Sequence, residues 1–531
     1  MALSGWLLAA QLALAGAIIA PGLQPVDYDT KLPFAEIVHN FQNDARTWKS
    51  VNEHVSDWSK RSQKTFEDQG NNLTGVEDFH CAEPKLKRAP AESVHAITPA
   101  DINVVAAMGD SLTAGMGAGA QSLAEDVLEY RGLSFSIGGD GDLKFMTTIP
   151  NILRRFNNKL VGASHRVSPV WYKLFSQFNV AVSGSRAPNM YLQATDLVKR
   201  MQETELVNIE KDWKLITIFI GANDLCDYCL QPETYSVANY TSNIKAAIDY
   251  LKKHLPRTIV NVVSMLKLNM LKDTHSVSPG CELMHSQECR CLIEMDDAAL
   301  RDAIRSYQEE VRKFEELEEY QSDDQFVVTV APALEQADLP LNAANEPDLA
   351  YLAPDCFHPS QLGHSIMAKQ VWNNMFEPFG DKTTEFDNSY PVSISLKCPQ
   401  PDCPFIRTAM NTLNCSVFQS SSVTAEQRKD FLRKSFGAIT PSRAFLMKKQ
   451  SLTDMPALEA QRFASSSKIV NQSQESSAAN APLIVLTACL ALVAAGFMAF
   501  ILASRRKRNQ NRPIDERTPL LSSSFNQSRV Y

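Results

Sequence analysis

The chain has 531 residues, of which 44% are hydrophobic and 21% charged, and a formal net charge of −8. That length and apolar share exclude a disordered chain and give roughly two to four structural units around a sizeable core. The acidic balance, without a basic stripe, excludes a nucleic-acid partner held through its phosphates.

Residues 1–20 are apolar and uncharged, with small residues at Ala15, Gly16, Ala17 and Ala20 that suit a signal peptidase. They read as a secretory signal peptide. No Lys or Arg precedes the apolar run, which leaves a buried helix or an uncleaved anchor open. Residues 21–98 form a polar lead-in with Phe41, Trp48 and Trp58 on a helical stretch, and are expected to pack on the domain that follows.

From 99 to 378, apolar runs of strand length alternate with amphipathic stretches, the pattern of a parallel sheet covered on both faces. Strands are expected at 104–108, 177–181, 215–220, 258–263 and 326–330, and helices at 192–202, 243–254 and 296–320. The first strand stops at Gly109-Asp110-Ser111, a turn that presents one hydroxyl at a carboxyl strand end, where open α/β sheets place ligands. Beyond the second strand stands Ser183-Gly184-Ser185, whose glycine lets a backbone N–H approach a ligand closely. Gly221-Ala222-Asn223-Asp224 follows the third strand and offers a side-chain amide. Asp355-Cys356-Phe357-His358-Pro359 follows the fifth, with a carboxylate and an imidazole three residues apart.

Each block alone is an ordinary loop, and a lone serine after a strand is more often a helix cap. Together and in this order they are specific. The chain resembles the GDSL, or SGNH, family of serine esterases and lipases, whose four letters match Ser111, Gly184, Asn223 and His358. The wider blocks, Met108 to Gly115, Ile220 to Cys229 and Asp355 to Ser360, look like the membrane-associated phospholipase B branch. The resemblance implies a three-layer α/β/α sandwich with a central parallel sheet of about five strands, followed by a C-terminal transmembrane helix. It also implies hydrolysis of glycerophospholipids at both acyl positions and of lysophospholipids, with other lipid esters open. One departure is size, since a single GDSL block stands here where familiar relatives carry several modules.

The roles follow from residue types. Ser111 is the candidate nucleophile and needs a base. His358 can take its proton and return it to the leaving alcohol, while Asp355 holds the imidazole tautomer. The oxyanion would be met by the N–H groups of Ser111 and Gly184 and by the Asn223 amide. This chemistry needs no cofactor, and no metal-ligand cluster suggests one. Cys226-Asp227-Tyr228-Cys229 invites a zinc or redox reading, but no second CxxC stands at finger spacing and no His pair follows.

Ten of the 11 cysteines precede residue 483, an even number that fits disulfides in an oxidising compartment. Residues 379–419, with Cys398, Cys403 and Cys415, read as a disulfide-pinned appendage, and 420–482 as a flexible Ser-rich stalk. Residues 483–503 are an uninterrupted apolar run of spanning length with Arg505-Arg506-Lys507-Arg508 behind it, which predicts a type I single-pass protein with its tail, 504–531, in the cytoplasm. Sequons at Asn72, Asn239, Asn414 and Asn471 would then face the lumen, and Asn526 would not. In the tail, Glu516 followed by Leu520-Leu521 resembles an acidic dileucine signal read by clathrin adaptors, so plasma membrane and endolysosomal membrane both stay open. Two other functions also stay open: an SGNH esterase acting on O-acylated glycans, and a catalytically silent binding ectodomain.

Overall fold

Four apolar runs make the sheet: β1 (Ile102–Gly109), β2 (Trp213–Phe219), β3 (Thr258–Val263) and β4 (Phe326–Ala331). They pair in parallel in the order β1-β2-β3-β4. Almost every strand residue is buried, so both faces of the sheet are covered, as continuous apolar parallel strands require. The computed structural model describes residues 74–81, 91–413, 415–419 and 424–437, with single positions between 54 and 65. The signal at 1–20, Phe41, Trp48, Asn72, Asn414, Asn471, the span at 483–503 and the tail with Glu516, Leu520, Leu521 and Asn526 lie outside the described residues. Among the described residues, no helix is long and apolar enough to cross a membrane.

The eight helices that matter here are α1 (Ser111–Ala114), α2 (Met190–Gln202), α3 (Ala222–Asp227), α4 (Val237–His254), α5 (Pro279–Glu288), α6 (Asp297–Arg312), α7 (Gln361–Asn374) and α8 (Ala425–Gly437). Helix α4 packs between α2 and α6, whereas α7 packs on the short helix Ile149–Leu153. Asn239 is exposed in the first turn of α4.

Three expectations are corrected. The segment 177–181 is not a fifth strand. Its backbone meets β1 at one bridge, Asn179 to Ala107, and the earlier part of that edge is taken by Val161, which bridges Val104. Two short segments thus share one edge, and although the Val182 N–H still reaches the Gly109 carbonyl at 3.3 Å, the Gly109 N–H is taken by the Gln193 side chain at 2.9 Å, where the pairing ends. The helix expected over 296–320 stops at Arg312, and a 3-10 turn (Lys313–Glu316) and a four-residue helix (Glu318–Gln321) follow. Leu317 is extended between them, and Phe314 and Tyr320 are buried on either side. The stalk does not begin at 420, because α8 follows. Its Phe431 and Leu432 are buried with Phe405 and Phe418, and Arg428 pairs with Asp324.

Of the lead-in, His54 and Trp58 are buried against the loop before Asp355: the Trp58 indole N–H donates to Leu349 and Leu352 carbonyls, and His54 Nε2 lies 2.8 Å from the Pro354 carbonyl oxygen. Among the described residues, five disulfides join Cys81 to Cys398, Cys226 to Cys289, Cys229 to Cys291, Cys281 to Cys356 and Cys403 to Cys415. The CxxC pair therefore serves two parallel cross-links rather than one metal.

Candidate active site

β1 ends where Gly109 meets β2. A Cβ at Gly109 would lie 2.3 Å from the Phe219 carbonyl oxygen, so the tight exit requires glycine. Asp110 then caps α1, accepting the Leu112 N–H at 3.0 Å, which leaves Ser111 as the first helical residue. Burial pushes the Asp110 carboxyl up to about 7.

The Ser111 Oγ lies 2.8 Å from His358 Nε2, and His358 Nδ1 lies 2.6 Å from Asp355 Oδ2. With Nδ1 protonated, Nε2 is free to accept from the hydroxyl. The other Asp355 oxygen accepts the N–H groups of Phe357 and His358 at 2.8 and 2.9 Å. Burial pushes the Asp355 carboxyl up, but the His358 charge and hydrogen bond, with those two N–H groups, bring it below its ordinary value. Asp355 is thus an anion aimed at one imidazole. Around it stand two further acids, Asp126 and Glu288, both held well above the carboxylate range by burial and by the charge of Asp355. Glu288, Asp355 and His358 each place one ligand atom within 4.8 Å of the others, the donor set here that could hold a metal ion, although Asp355 and His358 already bind each other.

Gly184 adopts φ +79°, a left-handed conformation, with open space where a Cβ would stand. The Asn223 side-chain N–H₂ donates to the Ser185 carbonyl at 3.0 Å, which uses one of its two hydrogens. Among the described residues, the N–H groups of Ser111 and Gly184 have no hydrogen-bond acceptor. The loops of Gly184 and Asn223 are thus side by side, and Ser185 links both to β1 through a residue that sequence reading missed. Gln193 of α2 accepts the Gly109 N–H at 2.9 Å and donates to the Gly109 carbonyl at 2.8 Å and to Ser185 Oγ at 3.1 Å. Its signal was a lone amide on the buried stripe of α2, between Met190, Ala194 and Leu197. Asp224 is a second such residue: both carboxylate oxygens accept the Ala187 N–H at 3.1 Å, and burial pushes its carboxyl up to about 7.

An apolar cavity opens beside these groups. Leu112 after the serine, Ala222 before the amide, and Phe357 and Pro359 flanking the histidine line it, together with Leu268 and Ile366. Of its lining residues only Asp338 is charged, and it pairs with Lys267 at 2.6 Å.

A family model described as GDSL-like lipase/acylhydrolase matches residues 105–371. The chain belongs to that family of carboxylic ester hydrolases. It is 41% identical over 340 residues to membrane-associated phospholipase B1 of Homo sapiens, a match covering 63% of this chain and 23% of that protein. Against the same protein of Mus musculus the identity is 39% over 341 residues, covering 62% and 23%. The chain thus matches about a quarter of the length of these relatives.

Proposed function

We propose that the chain hydrolyses long-chain acyl esters of glycerophospholipids, on a three-layer α/β/α sandwich, through an acyl-enzyme on Ser111. The observation that carries the reading is the file of Ser111, His358 and Asp355 beside an apolar cavity whose wall includes their chain neighbours Leu112, Phe357 and Pro359. An acyl chain fits such a wall, whereas an acetylated sugar would leave its hydroxyls without partners there.

The steps follow from the geometry. His358 Nε2 takes the Ser111 proton as Oγ attacks the ester carbonyl, and the imidazolium is stabilised by Asp355. The N–H groups of Ser111 and Gly184 and the free hydrogen of the Asn223 amide meet the developing oxyanion. His358 then protonates the departing alcohol oxygen, which leaves the acyl group on Ser111. Water, deprotonated by the same nitrogen, releases the fatty acid and restores the hydroxyl. Every proton passes through one imidazole, so the cycle needs no metal or cofactor.

The apolar span at 483–503 and its basic flank support a type I anchor with this domain in the lumen or outside the cell, and Glu516 with Leu520-Leu521 supports adaptor binding in the tail. The test is acyl release from phosphatidylcholine, lysophosphatidylcholine and an acetylated sugar by the full chain and by Ser111→Ala. Fatty acid from both lipids with the wild type alone supports the reading. Activity on the sugar ester alone moves the substrate to glycans, and identical traces for the two proteins sink the enzyme reading.

A further inference from the structure

The segment between His165 and Phe178 turns large apolar side chains toward water on a backbone that is held stiff from behind. Trp171 is 58% and Leu174 62% exposed, and Val167 and Tyr172 are exposed beside them. Two buried arginines grip the backbone of this ridge. Arg200 of α2 donates to the Val170 carbonyl at 2.9 Å, to Ser176 Oγ at 3.0 Å and to the Gln177 carbonyl at 2.8 Å, while Arg131 donates to the Ser168 carbonyl at 2.8 Å. Exposure here is therefore a fixed feature of the fold, not a loose loop, and a contiguous apolar patch on a rigid base marks an interaction site.

Its chemistry selects the partner. Between His165 and Phe178 the sequence carries two cations, Arg166 and Lys173, and no carboxylate, although Glu203 beyond α2 lies 2.9 Å from the exposed Lys173 ammonium. Trp and Tyr with flanking Arg and Lys are the residues that settle at a lipid–water boundary, rings at the headgroup level and cations toward phosphate. Its position relates it to the site. The Ser168 N–H donates to the Glu129 carbonyl at 3.1 Å, and the Glu129 carboxylate accepts Ser183 Oγ at 2.8 Å, next to Gly184. Exposed Val127 and Leu128 precede Glu129, and the Leu128 carbonyl accepts the Gly117 N–H just beyond α1. The ridge and the cleft thus share one short segment, 127–130.

We propose that Val127, Leu128, Val167, Trp171, Tyr172 and Leu174 form the face by which the domain docks on a phospholipid bilayer, bringing the Gly184 side of the cleft to the lipid surface. The proposal rests on the lipid-ester reading above. It concerns access to aggregated lipid only, so a substrate that reaches the cleft from solution bypasses it.

The test uses the full chain in membrane preparations and two substrates: long-chain phosphatidylcholine vesicles containing some phosphatidylserine, and a monomeric, water-soluble short-chain ester. Trp171→Ala with Leu174→Ala is expected to cut vesicle turnover about tenfold while the soluble ester is turned over at the wild-type rate, and Trp171→Phe is expected to keep most vesicle turnover. Unchanged vesicle turnover in the double variant overturns the proposal and leaves the ridge to a protein partner. An equal fall on both substrates also overturns it, because the effect then lies in the fold or the chemistry. A wild type that hydrolyses the soluble ester but no vesicle lipid fails the lipid reading itself, an outcome recognisable without any variant.

Discussion

Ser111, Gly184 and Asn223 stand on loops tied to each other by buried side-chain hydrogen bonds, whereas Asp355 and His358 stand on a loop tied to its neighbours by covalent bonds. On the nucleophile side, Gln193 clamps Gly109 to Ser185, and Asp224 holds Ala187. On the acid–base side, Cys356 lies between Asp355 and His358 and is bonded to Cys281 in α5, while Cys289, next to Glu288 at the end of that helix, is bonded to Cys226 in α3, the helix that carries Asn223, so this second cross-link fastens the amide of the other side to α5 as well. His285 adds a contact from the same helix to the Cys356 carbonyl at 2.9 Å. The difference has a physical logic. An oxyanion hole needs donors aimed within a few tenths of an ångström, which directional hydrogen bonds supply. The acid–base loop comes late in the chain, after a long connection from β4, and a cross-link removes much of the freedom of that connection in the unfolded chain.

The comparison can be broken at four levels. The largest effect is expected on the acid–base side. Asp355→Asn keeps the volume but favours the wrong imidazole tautomer, and kcat should fall about 10⁴-fold with the thermal midpoint nearly unchanged. A loss below tenfold would remove Asp355 from the mechanism. Next comes the nucleophile side: Asn223→Ala deletes one of the proposed oxyanion donors and should lower kcat by about 10²–10³ with KM little changed, as steady-state kinetics on a soluble ester would read directly.

The third level sets the two fastenings against each other. Gln193→Leu leaves the Gly109 N–H, the Gly109 carbonyl and Ser185 Oγ without their partner, so it should cost about 2–4 kcal/mol of stability and about tenfold in kcat. Cys281→Ser with Cys356→Ser should cost a similar 2–5 kcal/mol but leave kcat near the wild-type value below the lowered midpoint, since the Asp355 hydrogen bonds to Phe357 and His358 are local. Denaturant melts and kcat measured on the same samples distinguish the two. If the cysteine pair loses as much kcat as Gln193→Leu, the disulfide is aligning the base and not merely fastening its loop.

The residues that meet at the cleft were legible because Ser111, Gly184 and Asn223 each lie in a short block at or soon after the end of an apolar run, and because Asp355 and His358 are close in sequence. The fold was legible to the same depth: β2, β3 and β4 follow runs whose apolar character is local. What was not legible depends on contacts between distant segments. The edge beside β1 divides between Val161 and Asn179 because both compete for one ladder, and nothing within 177–181 records the competitor. Gln193 is separated from Gly109 by 84 residues, and the cavity wall draws on six or more segments whose leucines look alike in the sequence. The cysteine pairing was equally hidden, since ten cysteines carry no record of which faces which.

The smallest expected effect is in pH dependence, and here the two sides carry opposite signs. Burial pushes Asp224 up to about 7 on the nucleophile side, above its unfolded value, so the folded chain holds a proton that the unfolded chain has released from about pH 4 upward. Its contribution is present at low pH and lost as pH rises to about 7. Burial pulls His285 down to about 4 on the acid–base side, where a neutral ring donates Nε2–H to Cys356 and accepts from His275 at Nδ1, 2.9 Å away. Its contribution is present above the unfolded value near 6.5 and lost as pH falls toward 4. Asp224→Asn should therefore flatten the decline in thermal midpoint between about pH 4 and 7, and His285→Gln should flatten the decline from about pH 6.5 to 4, each by on the order of 1–3 kcal/mol across its window. Calorimetry of both variants from about pH 4 to 8 reads the two slopes separately. If His285→Gln instead changed the alkaline side, α5 would be sensing the carboxylates around Asp355 through Glu288, and the covalent side of the cleft would be electrostatically coupled to the side held by hydrogen bonds.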